Sequence, residues 1–159
     1  MRGMLKYVGY DIVFQEIPDE TTLAINLSLC PNRCKGCHSP YLWEDKGDEL
    51  TAEALDRMVS GFAGEVTCVC FMGGDNAPQE VAALARHVRQ SYSGQFLTAW
   101  YSGKPDFPKD FDRAAFDFVK LGPYIPEKGP LNKPTTNQRL YRIMPDGTNE
   151  DITDRFWRK

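Results

Sequence analysis

Three cysteines lie within eight residues of this sequence, at Cys30, Cys34 and Cys37 in the text CPNRCKGC. Thiolates on one short loop can converge on a single metal centre without a contribution from distant parts of the chain. Free cysteine packs as a small hydrophobe, and a hydrophilic loop does not need it for packing. The spacing Cys-x3-Cys-x2-Cys therefore predicts a metal site on this loop.

The number of thiolates separates two kinds of metal site. An iron–sulfur cubane normally takes four thiolate ligands, so three from one loop leave one iron open to a substrate or cofactor. Zinc in a Cys3His site is the rival interpretation. His38 directly follows Cys37, which makes ligation of one ion by both residues awkward, and His87 lies far along the chain. We therefore expect an open-site cluster, with structural zinc as the alternative.

Length and composition limit the number of domains, the partners and the location that we expect for this protein. The chain has 159 residues, 42% of them hydrophobic, which predicts one globular domain over residues 1–159 rather than a disordered chain. The chain is too short for a complete eight-fold barrel, which needs about 250 residues. The net charge of −3 offers no broad attraction to nucleic acid. The sequence contains neither an apolar run of about 20 residues nor a signal-peptide pattern. We expect a cytoplasmic protein with reduced thiols and no membrane or nucleic-acid partner.

Hydrophobic periodicity places the cysteine loop after a strand. The segment TTLAINLSL alternates from Thr21 and predicts a half-buried strand that ends at Cys30. Thr51 is the expected N-cap of a first helix, and Pro78 suits the first turn of a second. The inner stripes of the two helices are Leu55, Met58, Val59 and Phe62, and Val81, Leu84, Ala85 and Val88.

Further β-rich runs complete a strand–helix alternation. Strands are predicted over 65–71, 96–101, 116–121 and 139–144, and the N-terminal YVGYDIVF predicts an edge strand or hairpin. The pattern does not decide whether a helix lies between the strands at 96–101 and 116–121. Alternating strands and helices predict a mostly parallel sheet. In such sheets the loops that follow the strands meet at the carboxyl edge, where ligands bind.

The cysteine spacing resembles that of the radical S-adenosylmethionine (SAM) superfamily. In that family three cysteines carry a [4Fe-4S] cluster, and the open iron chelates the amino and carboxylate groups of SAM. Reduction cleaves SAM to methionine and a 5′-deoxyadenosyl radical. The resemblance implies that Cys30, Cys34 and Cys37 are the cluster ligands. It also implies that the backbone of Gly36, Cys37 and His38 contacts the nucleoside, and Gly36 stands where many members have an aromatic residue.

A second motif follows the next predicted strand. The text FMGGD resembles the Gly-Gly-Glu element that binds the methionyl ammonium of SAM in this superfamily. Gly73 and Gly74 would let the backbone approach the ligand closely. Asp75 replaces the usual glutamate and shortens the reach by one methylene. The resemblance therefore implies a SAM site at Gly73, Gly74 and Asp75.

Within the superfamily, nearly the whole chain is similar to the activating proteins of the anaerobic ribonucleoside-triphosphate reductase. The similar segments are CPNRCKGCHSPYLW, FMGGDNAP, YSG at 101–103, LGPY at 121–124 and the triad at 137–139. The resemblance implies an incomplete, open (β/α) barrel and an oxidoreductase that generates a glycyl radical on the large reductase subunit. It also implies a low-potential electron donor such as flavodoxin or ferredoxin.

Two alternatives to that function stay open. The same chemistry could act on another glycyl-radical enzyme or on a small molecule. From a different class, the chain could be a non-catalytic zinc or iron–sulfur binding module. Because little chain is left to build a lid, we expect the partner's own loop to close the site and exclude water.

Several other residues have both a structural and a functional interpretation. Cys68 and Cys70 share one face of their strand, which favours core packing over a redox or second-metal role. His87 is expected on the solvated surface. Lys120 points opposite to Val119, either into the interior or into solvent.

The C-terminal third leaves two such choices undecided. Asn137, Gln138 and Arg139 either brace the sheet or accept the target loop. The proline-rich segment 123–134 is either a surface loop or a segment that docks a partner or gates the substrate.

Overall fold

A computed structural model describes residues 5–14, 16–18, 20–27, 48–75, 77–123 and 125–156. This part of the chain forms a single sheet of eight strands together with two α-helices. The strands are β1 (Lys6–Val13), β2 (Thr22–Leu27), β3 (Asp48–Glu49), β4 (Cys68–Met72), β5 (Leu97–Tyr101), β6 (Phe118–Leu121), β7 (Arg139–Ile143) and β8 (Asn149–Asp151). The helices are α1 (Ala52–Gly61) and α2 (Pro78–Ser91).

The sheet is parallel in the middle and antiparallel at both sides. Its strand order is β3-β1-β2-β4-β5-β6-β7-β8. Strands β2, β4, β5 and β6 are parallel neighbours, whereas the pairs that involve β1, β3, β7 and β8 are antiparallel. The mixed α/β class and the parallel centre are confirmed, and the N-terminal segment forms the predicted hairpin with β2. The incomplete barrel stays a prediction.

Both helices begin where their sequence signals place them. The Thr51 hydroxyl accepts a hydrogen bond from the Ala54 amide at 3.1 Å and so caps α1. Pro78 occupies the first turn of α2, where its missing N–H costs no helical hydrogen bond. Between β5 and β6, where the sequence pattern does not decide whether a helix forms, the chain makes only a short 3-10 helix at Arg113–Ala115. Among the described helices, none combines the length and the apolar character required to span a bilayer.

Apolar side chains cover both faces of the sheet. The face toward α1 and α2, called here the helix face, buries residues such as Ile25, Phe71 and Trp100. The opposite face packs Ile17 from the β1–β2 connection against a cluster of residues in and next to the strands. That cluster consists of Cys68, Cys70, Ala99, Phe118, Leu140 and Ile152. Strand β2 is therefore buried on both faces rather than half-buried, because the β1–β2 connection folds across the face opposite the helices.

Candidate cofactor site at the carboxyl edge of the sheet

The turn that follows β4 contacts the end of β2. A Cβ atom built on Gly74 would lie 2.8 Å from Leu27 Cδ1, and one built on Gly73 would lie 3.4 Å from the Leu27 carbonyl oxygen. Leu27 is the last residue of β2, and Cys30 follows it by three residues. The end of β2, three residues before Cys30 in the sequence, therefore lies beside the predicted Gly-Gly-Asp element.

The two glycines of this turn have backbone conformations that other residues rarely adopt. Gly73 has φ +104° and Gly74 has φ +86°. The Gly73 amide donates to the Tyr101 carbonyl at 2.9 Å, and its carbonyl accepts from Trp100 Nε1 at 2.6 Å. A Cβ on Gly74 would also lie 2.6 Å from Val81 Cγ2 of α2. The turn is thus fixed to both β5 and α2.

Asp75 points from this turn toward the end of β5. Its Oδ1 accepts from the Ser102 hydroxyl at 2.5 Å, and its Oδ2 accepts from the Gly103 amide at 2.9 Å. Asp75 also lines a cavity of about 350 Å³ together with Pro78, Trp100 and residues 104–108. The structure therefore holds a carboxylate of fixed orientation at the rim of a cavity.

A buried cation lies two strands away, at the end of β6. Lys120 is only 7% exposed, and its Nζ donates to the Gly122 carbonyl at 3.0 Å. The same Nζ lies 5.4 Å from the centre of the Tyr101 ring, a distance at which a cation is attracted to the ring. Lys120 thus belongs to the interior, and the solvent-exposed interpretation was wrong.

Tyr101, which lies beside Lys120, connects the end of β5 to the β1–β2 connection. Its hydroxyl donates to the Glu16 carbonyl, and burial raises the pKa of Tyr101 well above its ordinary value. The phenol therefore stays neutral and acts as a hydrogen-bond donor. Trp100, on the other face, is 1% exposed and stacks on Phe116, so it belongs to the core.

The triad at 137–139 braces the strand ends. Asn137 Nδ2 donates to the Pro123 carbonyl at 3.1 Å, and Gln138 Nε2 donates to the Gly122 carbonyl at 3.3 Å. Arg139 lies 3.6 Å from the Asp151 carboxylate of β8. These contacts confirm the bracing interpretation, whereas a role in accepting a target loop stays a prediction.

Cys68 and Cys70 lie in the packed cluster opposite the helices. Both are free and fully buried, and burial raises the pKa of each thiol above its ordinary value. Cys70 Sγ lies 3.5 Å from Met72 Sδ. Within the described residues, no three His, Cys, Asp or Glu side chains lie close enough together to hold a metal ion. The core-packing prediction is confirmed.

His87 differs from its predicted solvated position. Its side chain is 31% exposed, and its Nε2 lies 2.9 Å and 3.1 Å from the two carboxylate oxygens of Asp56. Tyr92 donates to the same carboxylate at 3.1 Å. The helical pattern of α2 did not reveal the contact between His87 and Asp56, because Asp56 lies on α1. His87 therefore links the two helices instead of facing water alone.

The predicted cluster and nucleoside residues lie outside the described part of the chain. They are Cys30, Cys34, Gly36, Cys37 and His38. Sequence reasoning missed Ser102 and Gly103 as partners of Asp75, because the text YSG indicated only a strand end. It also left the burial of Lys120 undecided, since alternation shows which side chains share a face of a strand but not whether that face is covered.

Together the fold and the edge residues describe a mixed α/β protein with Asp75 and Lys120 placed where its parallel strands end. A family model described as a 4Fe-4S single cluster domain matches residues 21–105, just over half of the chain. The chain therefore belongs to that family. The match includes the three-cysteine loop, the glycine turn with Asp75, and Ser102. It supports an iron–sulfur cofactor.

Two further comparisons were negative. The search of curated proteins and the search of solved structures returned no match to the chain.

Proposed function

We propose that this chain is a radical SAM enzyme that generates a glycyl radical on the large subunit of the anaerobic ribonucleoside-triphosphate reductase. One observation carries the proposal: the end of β2, three residues before Cys30 in the sequence, contacts the turn that bears Asp75. A cluster on that loop and a ligand on that turn would be neighbours. The proposal includes the incomplete barrel, of which the described sheet would form the wall.

The available thiols fit an open-site cluster. Cys30, Cys34 and Cys37 would supply three ligands, in agreement with a family that carries one [4Fe-4S] cluster. Cys68 and Cys70 are buried in the core opposite the helices, and their raised pKa disfavours the thiolate form that binds metal. They are therefore poor candidates for a fourth ligand. One iron would be left for the amino and carboxylate groups of SAM.

The charges at the edge fit the methionine part of SAM, which carries an ammonium and a carboxylate. Asp75 supplies a fixed anion after β4, and Lys120 supplies a buried cation at the end of β6. Opposite charges that are partly withdrawn from water interact more strongly than exposed ones. The nucleoside would extend toward the backbone of Gly36, Cys37 and His38.

When bound, the reduced cluster and SAM would supply a one-electron cleavage of the C5′–S bond, which releases methionine and leaves 5′-deoxyadenosine after hydrogen transfer from the target glycine.

The packing of the sheet face opposite the helices favours a substrate that approaches from outside. Ile17, Phe118 and Leu140 fill the sheet face opposite the helices. A loop of the partner protein would therefore reach the site at the carboxyl edge and exclude water there.

The test is anaerobic reconstitution with iron and sulfide, followed by dithionite and SAM. We expect bound iron and release of 5′-deoxyadenosine. Single changes of Cys30, Cys34 or Cys37 to Ala should abolish cleavage and most iron binding, because one loop supplies every protein ligand. Cys68→Ala is the matched control and should retain its iron.

Three outcomes would contradict the proposal. A cluster without SAM cleavage would indicate a non-catalytic iron–sulfur module. A colourless zinc protein would indicate structural zinc. Loss of iron in Cys68→Ala equal to that in Cys30→Ala would refute the ligand assignment.

A further inference from the structure

Ser102 is the residue that connects the ends of three parallel strands. It directly follows β5, is 1% exposed, and donates its amide to the Lys120 carbonyl of β6 at 2.8 Å. Its side chain reaches the other way, to Asp75 after β4. A buried polar side chain is normally hydrogen-bonded. Here the side chain of Ser102 bonds to the Asp75 carboxylate, and its backbone amide bonds to the backbone of Lys120.

The hydrogen bonds of Ser102 fix the direction of its hydroxyl. The Lys104 amide can only donate, and it donates to Ser102 Oγ at 3.1 Å. An ionised carboxylate can only accept, so the hydroxyl hydrogen points to Asp75 Oδ1 at 2.5 Å. Ser102 therefore acts as a donor to Asp75 whose orientation is set by the backbone.

Asp75 is held at both oxygens from the β5 side. The Gly103 amide donates to Oδ2 at 2.9 Å, so the two donors fix the plane of the carboxylate. Hydrogen bonds to charged groups are stronger than neutral ones, which makes this orientation costly to change. The carboxylate lines the cavity formed with Pro78 and Trp100.

We infer that Ser102 is a positioning residue that orients Asp75 toward the ammonium group of the ligand. The inference rests on the proposed function, because it takes SAM as the ligand. Ser102 itself is too buried to contact the ligand, and its hydroxyl is engaged at both ends. It therefore acts through Asp75, and its contribution is confined to the amino-acid part of SAM.

A pair of ligands separates this role from a general structural one. SAM carries the ammonium, whereas 5′-methylthioadenosine keeps the nucleoside and sulfur but lacks the amino-acid part. In cluster-loaded protein under anaerobic conditions, Ser102→Ala should weaken SAM binding about 10-fold. Binding of 5′-methylthioadenosine should not change. Both dissociation constants come from one sample, so their ratio is insensitive to a smaller folded fraction.

A double variant and a control complete the experiment. In the Asp75→Ala background, Ser102→Ala should cause no further loss of SAM affinity, because the group that it positions is gone. Ser91→Ala on α2 should bind both ligands as the wild type does. Iron per chain is measured in every sample and should stay constant.

The inference and the proposed function fail in different ways. Equal weakening of both ligands by Ser102→Ala, or additive losses in the double variant, would overturn the positioning role while SAM binding by the wild type stands. If the wild type binds neither ligand, both the proposed function and the role of Ser102 are refuted.

Discussion

The thiols of Cys68 and Cys70 are kept neutral by the packing around β4. Desolvation is the largest cause of their raised pKa, and Cys68 further raises the pKa of Cys70. A group whose folded-state pKa is raised contributes stability below its ordinary pKa and loses it as the pH rises. The ordinary thiol value here is 9.0. These residues therefore predict an alkaline loss of stability.

We expect the free energy of unfolding to fall as the pH increases from 9 to 10. Each buried thiol adds a slope of up to about 1.4 kcal/mol per pH unit, because the unfolded chain ionises and the folded one does not. Urea unfolding at a series of pH values measures the slope. The variant with Cys68→Ala and Cys70→Ala should show a shallower slope, and equal slopes in the two proteins would contradict buried neutral thiols.

At the scale of elements, the turn after β4 is held between neighbours that leave no room for a side chain. Gly74 has φ +86°, and Val81 Cγ2 would lie 2.6 Å from an added Cβ. Both the backbone conformation and the contact oppose any larger residue. Packing and backbone conformation alone therefore require a glycine at this position.

Gly74→Ala should destabilise the fold by about 2–4 kcal/mol, the sum expected of backbone strain and overpacking. Chemical denaturation measures the change. Gly64→Ala is the matched control, since an added Cβ there meets nothing within 4 Å. A cost for Gly74→Ala no larger than that for Gly64→Ala would show that the turn adapts freely.

Local patterns predicted the elements that have an apolar stripe or a turn signal. Thr51 and Pro78 marked both helix starts, and alternation marked β2. The sequence analysis did not predict two of the described strands, β3 and β8. The pair Asp48–Glu49 of β3 is too short for any alternation, and Asn149–Asp151 of β8 is exposed throughout, so neither has an apolar pattern. Their pairing is set by neighbouring strands rather than by their own residues.

The candidate site was only partly predictable for the same reason. The glycines and Asp75 followed from a motif along the chain. Ser102 and Lys120 act through partners that the fold brings from other strands, at Asp75 and Gly122. The Asp56 partner of His87 likewise lies 31 residues away. Contacts of this kind have no signal in a local sequence pattern.

At the scale of the whole molecule, the parallel centre gathers the site along one edge. The ends of β2, β4, β5 and β6 lie side by side in register. The chain thereby brings together the end of β2, the oriented carboxylate of Asp75 and the buried Lys120. In the proposed function a loop of the partner completes the site from this edge, so we expect SAM cleavage to be faster and better coupled when the partner is present.

The most direct test of this account follows one hydrogen atom. Cluster-loaded protein is mixed anaerobically with SAM, a low-potential reductant and the large subunit of the anaerobic reductase with deuterated glycine. We expect 5′-deoxyadenosine that contains deuterium, together with a persistent glycyl radical on the partner in electron paramagnetic resonance spectra. SAM cleavage that gives neither deuterium transfer nor a radical on the partner would contradict the proposed activation of a glycyl-radical protein.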